Sequence, residues 1–273
     1  MKSILVHLDA SPRSAVRLAL AQELADRHGA ELNAFYGVLP SLLASSWAAG
    51  EGVAAAAAVL ADLDREQRER ARALFEQAAA RGRLNWLDGD MEPDWHLLQH
   101  ALYADLLVLG QTDADDARTG ALQPELVPAA ISDTGKPTLV VPYAGAFEAL
   151  PSRVLIAWKP TREAARALTA ALPWLRQAET VHIATRPEAD AGDLEPVAAL
   201  THWLQLQGIA AAVRAHGLGP GDVGESLLSL AADTGAGLLV MGCYGHSRAR
   251  EWVLGGASRS ILRSMTLPVL MAH

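Results

Sequence analysis

Short apolar runs alternate with amphipathic stretches of helical spacing along the whole chain. The runs predict strands near 3–8, 31–37, 83–87, 105–110 and 138–141, and again near 153–158, 179–184, 210–215, 236–241 and 268–272. Runs such as LLVLG and LLVMG are apolar at every position, as strands buried between two helix layers are. Alternating strands and helices predict an α/β fold with a parallel, doubly wound, Rossmann-like sheet. Ligands of such sheets bind beyond the carboxyl ends of the strands, here just after Leu8, Leu109, Trp158 and Met241.

The same landmarks occur twice in the same order. The segments Ser3–Asp9, Ala104–Gln111 and Gly135–Gly145 are matched by Arg153–Lys159, Gly235–Cys243 and Ser264–His273. Three paired landmarks in one order indicate an internal duplication. We therefore predict two tandem domains, 1–147 and 152–273, each with a five-stranded parallel sheet.

The first half carries an extra stretch, 40–82, whose later part has helical spacing with its charges on the outside. Two interpretations are open. The stretch is either a lid or partner-binding helix, or an elongated version of the domain's second helix, and we favour the second.

Composition and charge narrow the class of protein. Of 273 residues, 51% are hydrophobic, which is enough for well-buried cores, and the net charge of -8 argues against general binding to nucleic acid or an anionic membrane. The single cysteine, Cys243, fits a reducing cytoplasm. No export signal is expected at the N-terminus. The Ala-rich segment Leu39–Leu63 is interrupted by Gly50–Gly52 and is not expected to cross a membrane.

The second half has a glycine-rich constellation after its strand GLLVMG. Its spacing is Gly242-x2-Gly245-x9-Gly255-Gly256. Glycines let backbone N–H groups converge on an oxygen atom. The helix that begins near Ala257 adds its unpaired N–H groups and the positive end of its dipole, and Ser258 adds a hydroxyl. The pattern indicates a phosphate site, to which Arg248, Arg250 and Arg259 would give a positive field. A tight turn at the glycines and a helix cap at Ser258 explain the same residues without a ligand.

This constellation resembles the nucleotide motif of the universal stress protein family, Gly-x2-Gly-x9-Gly followed by Ser or Thr. Leu267–Leu270 resembles the family's closing Pro-Val-Leu strand, and ILVHLD resembles its opening strand, which ends in aspartate. The likeness covers essentially both halves. It implies a tandem universal stress protein.

The resemblance implies a stress-response protein that binds ATP or AMP, with or without Mg²⁺, between the ends of its first and fourth strands, although some members bind no nucleotide. It also implies that the last strands of the two halves pair within one chain. Carried over position by position, the candidate nucleotide-binding residues are Ala157, Trp158, Lys159, Met241, Gly242, Gly245, His246, Gly255, Gly256, Ala257 and Ser258.

Two residues depart from the family pattern. Gly256 stands where Ser or Thr is preferred, so a hydroxyl is lost while the backbone N–H is kept. Lys159 stands where aspartate is usual, on the nucleoside or metal side of the site, and inverts the charge there. A lysine at this position could instead form a salt bridge with a phosphate.

The first half keeps the aspartate, Asp9, but its glycine loop is degenerate. Gly110 is followed by Gln111 and Thr112, and then by three carboxylates that repel phosphate, at Asp113, Asp115 and Asp116. We expect no nucleotide there. The acidic loop lacks the glycine and the distal glutamate of a calcium-binding EF-hand, so a solvated loop is favoured.

Other candidate residues are less informative. His96 and His100 share a helix face but lack the further ligands of a zinc site, and Cys243 lacks the partner of a catalytic thiol. His246 follows Gly245 and is expected to line the site.

Three functions follow from this pattern. The first is a cytoplasmic module in which adenine nucleotide regulates binding to an unidentified protein partner. The second is a ligand-free scaffold with both sites decayed. The third, a slow ATP hydrolase, is the least favoured because Lys159 replaces the aspartate. Pairing of two chains into a homodimer stays open.

Overall fold

The computed structural model describes residues 1–38, 53–80, 82–89, 92–112, 126–147, 150, 152–186, 195–243 and 256–273. These residues form two compact units. The first comprises Met1–Lys136 and Ala146–Ala149, and the second comprises Pro137–Gly145 and Leu150–His273. Both units alternate strands with helices, which confirms the predicted α/β class. Among the helices described, none combines the length and the apolar character that crossing a bilayer would require.

Among the residues of the first unit that the structure describes, four parallel strands lie in the order β3-β2-β1-β4. They are β1 (Ser3–Leu8), β2 (Glu31–Gly37), β3 (Leu84–Gly89) and β4 (Leu106–Gly110), and the helices are α1 (Arg13–His28), α2 (Val53–Ala79), α3 (Pro93–Ala101) and α4 (Leu126–Thr134). Every residue of β4 is buried, as its uniformly apolar sequence predicts. The core therefore lies around β1 and β4.

In the described part of the second unit, six strands lie in the order β5-β10-β9-β6-β7-β8. The strands are β5 (Thr138–Val141), β6 (Arg153–Ala157), β7 (Thr180–Thr185), β8 (Ala212–Gly217), β9 (Leu238–Gly242) and β10 (Val269–Ala272). The helices are α5 (Arg162–Ala170), α6 (Leu172–Leu175), α7 (Glu195–Leu206), α8 (Val223–Thr234) and α9 (Gly256–Ser264). Each strand lies within about two residues of its predicted position, because buried apolar runs mark strands well.

The strand β5 belongs to the second unit although its sequence closes the first half. It pairs antiparallel with β10, with Leu139 opposite Leu270 and Val140 opposite Val269. All four of its residues are buried. If β5 and β10 did not pair with each other, each of these apolar strands would leave an exposed edge. Their pairing removes both edges. This is the pairing of last strands within one chain that the family resemblance implies.

The extra stretch of the first half contains one long helix, α2, of 27 residues. Its C-terminal part is anchored by Ala71 and Phe75, which are buried, and the Phe75 ring contacts Trp86 of β3 edge-on at 5.2 Å between ring centroids. The Arg72 guanidinium lies 5.0 Å over the same Trp86 ring. The expected elongated helix is confirmed. The alternative, a lid or partner-binding helix, is not tested by these contacts.

Candidate functional site

The carboxyl ends of β6 and β9 bring three predicted site residues together. The two strands are parallel neighbours, and Ala157 at the end of β6 lies opposite Met241 on β9. Gly242 follows Met241 as the last residue of β9 and pairs with Ala272 of β10. Met241 is buried and Ala157 half-buried. The backbone beyond these residues is the edge at which a doubly wound domain binds its ligand.

The chain turns tightly from β6 into α5. The Trp158 N–H still donates to the carbonyl of Ala184 on β7, at 2.8 Å. The next carbonyl, that of Lys159, accepts from the N–H of Thr161 at 2.7 Å. Thr161 then caps α5, because its hydroxyl accepts from the N–H of Ala164 at 3.3 Å. Lys159 therefore sits in a short turn, where its side chain is exposed.

The Trp158 side chain lies in an apolar setting. With Leu168 of α5 and Leu200 and Trp203 of α7, it lines a cavity of about 350 Å³. Its Nε1 atom is buried and has no hydrogen-bond partner. The predicted nucleoside contact at Trp158 thus sits against a cavity between two helices.

The helix α9 begins at Gly256, close to the predicted start. It joins the parallel neighbours β9 and β10, so its N-terminus is expected at the edge where β9 ends. Gly256 is exposed, Ala257 half-buried and Ser258 buried. A helix N-terminus carries unpaired N–H groups and a positive dipole end, so α9 would offer both to this edge. Arg259 is exposed on α9. The other predicted residues, Gly245, His246, Gly255, Arg248 and Arg250, lie outside the described residues.

Gly242 is required by packing as well as by the motif. An added Cβ would lie 2.3 Å from the backbone nitrogen of Ala164 and 2.5 Å from the backbone carbon of Glu163. The end of β9 is therefore in direct contact with the first turn of α5. The sequence alone indicates phosphate binding or a tight turn at this glycine, and it does not show this contact because the two segments are far apart in the chain.

We expect Gly242→Ala to lower the free energy of unfolding by about 3 kcal/mol, because the added methyl group meets backbone that cannot move aside. Urea denaturation followed by circular dichroism measures the effect. Gly256→Ala is the matched control, since a Cβ at Gly256 meets nothing within 4 Å. Equal stability of the two variants would contradict the packing role of Gly242.

Glu163 is a site feature that the sequence analysis missed. Its side chain is buried beside the end of β9 and is paired with Arg162. Burial opposes its ionisation, but hydrogen bonds from Arg162, its own N–H and Thr161 hold the pKa of Glu163 below its usual value. Burial, and then the negative charge of Glu163, raise the pKa of Cys243, whose thiol donates to the carbonyl of Ala272. Cys243 is therefore a protonated, buried thiol.

The first unit offers an internal comparison with this edge. The pairing of Leu5 with Leu107 on β1 and β4 corresponds to that of Leu155 with Leu239 on β6 and β9. Continued along each chain, this register aligns Asp9 with Lys159 and Gly110 with Gly242.

In the first unit the strand end is occupied by an arginine from α1. The Arg17 Nη2 atom lies 2.6 Å from Asp9 Oδ2, with side-chain exposures of 3% and 1%. The Ser14 hydroxyl and the Ser11 N–H donate to Asp9 Oδ1, at 2.9 and 2.8 Å. Burial opposes ionisation of the carboxyl, but Arg17 and its other neighbours lower the pKa of Asp9 to about 2. A Cβ at Gly110 would lie 2.3 Å from Arg17 Nη1.

The model of the universal stress protein family matches residues 1–141 and 152–273, which is most of the chain. The chain belongs to the universal stress protein family. Its two matched regions make it a tandem member of that family. No curated protein matches the sequence.

Two solved structures of similar length share this fold. A universal stress protein from Archaeoglobus fulgidus is 18% identical, with a TM-score of 0.72 over 99% of this chain and 95% of that one. A functionally unknown protein from Pseudomonas aeruginosa is 16% identical, with a TM-score of 0.62 over 100% of this chain and 92% of that one. A shorter universal stress protein, solved in complex with cAMP, is 20% identical, with a TM-score of 0.34 over 44% of this chain and 96% of that one.

In this universal stress protein, Asp9 is not available to a ligand. Its carboxylate oxygens are taken by Arg17, Ser14 and Ser11, and the residue is 1% exposed. Asp113, Asp115 and Asp116 are the other reason for predicting that the first unit has no nucleotide site. These three aspartates lie outside the described residues.

His96 and His100 both lie on α3 and are half-buried, as their helical spacing predicts. His100 of α3 packs its ring 5.7 Å from that of Phe35. A closer pair lies on β7 and β8, where His182 Nδ1 and His216 Nε2 are 2.9 Å apart. Within the part of the chain that the structure describes, no three His, Cys, Asp or Glu side chains are grouped to hold a metal ion.

Proposed function

We propose that this universal stress protein binds one adenine nucleotide, ATP or AMP, in its second unit, and that occupancy regulates binding to a protein partner in a stress response. Family membership and the spacing of the glycines support the proposal. The observation that carries it is that Met241 and Gly242 end β9 and that Gly256 begins α9, the helix that leads back to the parallel neighbour β10. An anion at that edge would meet glycine backbone and a helix N-terminus together.

The contrast between the units supports a single site per chain. In the first unit, Arg17 and Asp9 neutralise each other inside the strand end, so neither charge is left for a ligand. The proposal therefore assigns the nucleotide to the domain 152–273 and a structural role to the domain 1–147. It also places the protein in the cytoplasm, where its one thiol would stay reduced.

Gly256→Glu is expected to abolish nucleotide binding while leaving the protein folded. The added carboxylate would repel phosphate at the start of α9, yet it would suit the positive end of the helix dipole. Nothing lies within 4 Å of a Cβ at this position, so packing tolerates the change. Calorimetric titration with ATP, ADP and AMP measures binding, and mass spectrometry of gently extracted protein identifies any nucleotide that co-purifies.

Gly219→Glu is the matched control, because it adds the same charge to the second unit at another glycine with open surroundings. One equivalent of nucleotide per chain, retained by Gly219→Glu and lost by Gly256→Glu, supports the proposal. Absence of binding to the unaltered protein at millimolar ATP would contradict it. The ligand-free scaffold would then be the better description.

A further inference from the structure

Lys159 marks the main difference in charge between the two strand ends. The aligned registers place an ammonium group here where the first unit has the carboxylate of Asp9. The buried stripes of α1 and α5 align in the same way, Leu18 with Leu168 and Arg17 with Ala167. Both members of the buried ion pair are therefore changed in the second unit. The arginine has become alanine and the carboxylate has become a cation.

The Lys159 ammonium is available to a ligand. The residue is exposed, in the turn between β6 and α5, and its side chain makes no ion pair with the residues that the structure describes. Its backbone is held by the hydrogen bond from Thr161. It thus presents a positive charge next to the edge where β9 ends.

Two carboxylates approach the same elements, and both are already engaged. Glu163 is buried and paired with Arg162. Asp222 caps α8 by accepting from the N–H of Glu225 at 2.9 Å, and it also accepts a hydrogen bond from Ser260 of α9. Protein-bound Mg²⁺ usually takes one or two carboxylates in addition to the phosphates of its nucleotide. The described residues therefore suit a phosphate better than they suit a magnesium ion.

We propose that Lys159 is the counter-charge for the nucleotide phosphates, and that the second unit binds its nucleotide as the metal-free anion. The inference rests on the proposed function, since it concerns the same site. Lys159 would neutralise the negative charge of the phosphates, which a divalent cation otherwise does. Mg²⁺ would then compete with the protein for the phosphates.

The test is calorimetric titration of the full chain with ATP, once in EDTA and once in excess Mg²⁺. We expect binding in EDTA to be at least as tight as in Mg²⁺. We expect Lys159→Gln to weaken binding in EDTA about tenfold, the usual effect of losing a hydrogen bond to a charged group. Lys2→Gln, which removes an exposed lysine of the first unit, is the matched control and should change nothing.

A second readout follows Lys159 directly. The lysines of the chain are Lys2, Lys136 and Lys159. Limited acylation with an amine-specific reagent, followed by peptide mass spectrometry, should show that ATP in EDTA protects Lys159 several-fold and leaves Lys2 unprotected. Circular dichroism and a thermal melt verify that Lys159→Gln is folded.

The outcomes separate this inference from the proposed function. If ATP binds but requires Mg²⁺, or if Lys159→Gln binds as tightly as Lys2→Gln, the metal-free site is wrong and the nucleotide function stands. If the unaltered protein binds nucleotide under neither condition, both are wrong. Tight binding in EDTA that depends on Lys159, together with protection of its amine, supports both.

Discussion

Replacing Arg17 with alanine is expected to lower the free energy of unfolding by about 3–5 kcal/mol, because it leaves the carboxylate of Asp9 buried without a counter-charge. The pair is 2.6 Å apart and almost fully buried. Arg17 also donates to the carbonyl of His7 and packs against Gly110, so its removal opens a gap at the end of β4. Urea denaturation at pH 7 measures the change.

Arg27→Ala is the control for this experiment. Arg27 lies on the same helix and is paired with Glu23, but both side chains are partly exposed, at 31% and 26%. An exposed pair of this kind contributes about 0.2–1 kcal/mol. The double variant Asp9→Asn with Arg17→Ala should regain part of the stability, because it no longer buries a charge. If Arg17→Ala cost no more than Arg27→Ala, the structural role of the buried pair would be refuted.

Acidification from pH 7 to pH 4 is expected to remove about 3 kcal/mol of folding free energy through His7 alone. The residue is fully buried, and its Nε2 atom lies 2.8 Å from the carbonyl oxygen of Gly37. Its Nδ1 atom is buried without a partner. The ring is therefore neutral, with Nε2–H as the donor. Burial, opposed by the charge of Asp9 and reinforced by that of Arg17, lowers the pKa of His7 from 6.5 to about 4.

Proton linkage determines whether acid stabilises or destabilises the folded protein. Because the pKa of His7 is lower in the folded state, the unfolded chain takes up the proton first as the pH falls. The stabilisation is complete above about pH 6.5, the value for an unperturbed histidine, and is lost progressively towards pH 4. A difference of about 2.5 pKa units, at about 1.36 kcal/mol each, gives the expected loss of about 3 kcal/mol.

Urea denaturation at a series of pH values between 4 and 8 checks this prediction. His7→Gln should flatten the profile by about the predicted amount, whatever its own stability at pH 7. His202→Gln, at an exposed position of α7, should leave the profile unchanged. Equal pH dependence in His7→Gln and the unaltered protein would show that His7 carries no such linkage.

Local sequence patterns predicted the strands and the two glycines that bracket the candidate site. Buried strands such as β4 are apolar at every position, and Gly242 and Gly256 follow from the spacing of one motif. The two contacts that determine which groups pack at the strand ends were not predicted. The packing of Gly242 on α5 joins distant segments, and the ion pair of Arg17 requires knowing which face of α1 is buried.

The sequence nevertheless contains an indication of the ion pair between Arg17 and Asp9. Arg17 precedes Leu18 and lies four residues before Ala21, on the stripe of α1 that faces the core. An arginine within an apolar stripe needs a buried anion as its partner, and Asp9 is the nearest carboxylate before it. The helical spacing by itself predicts an ordinary amphipathic helix and does not identify this partner.

Because of the position of β5, the repeated segment of sequence and the compact folded unit have different boundaries. The repeated segment of sequence ends after β5, yet the compact unit that holds β5 is formed mainly by the other copy. A chain cut at the sequence repeat would separate β10 from β5 and leave an apolar edge open to self-association, although β10 would keep its pairing with β9. The two fragments should therefore express poorly alone and recover solubility when produced together. Loss of the first copy would therefore remove a strand from the second unit, and loss of the second copy would leave β5 without its partner β10.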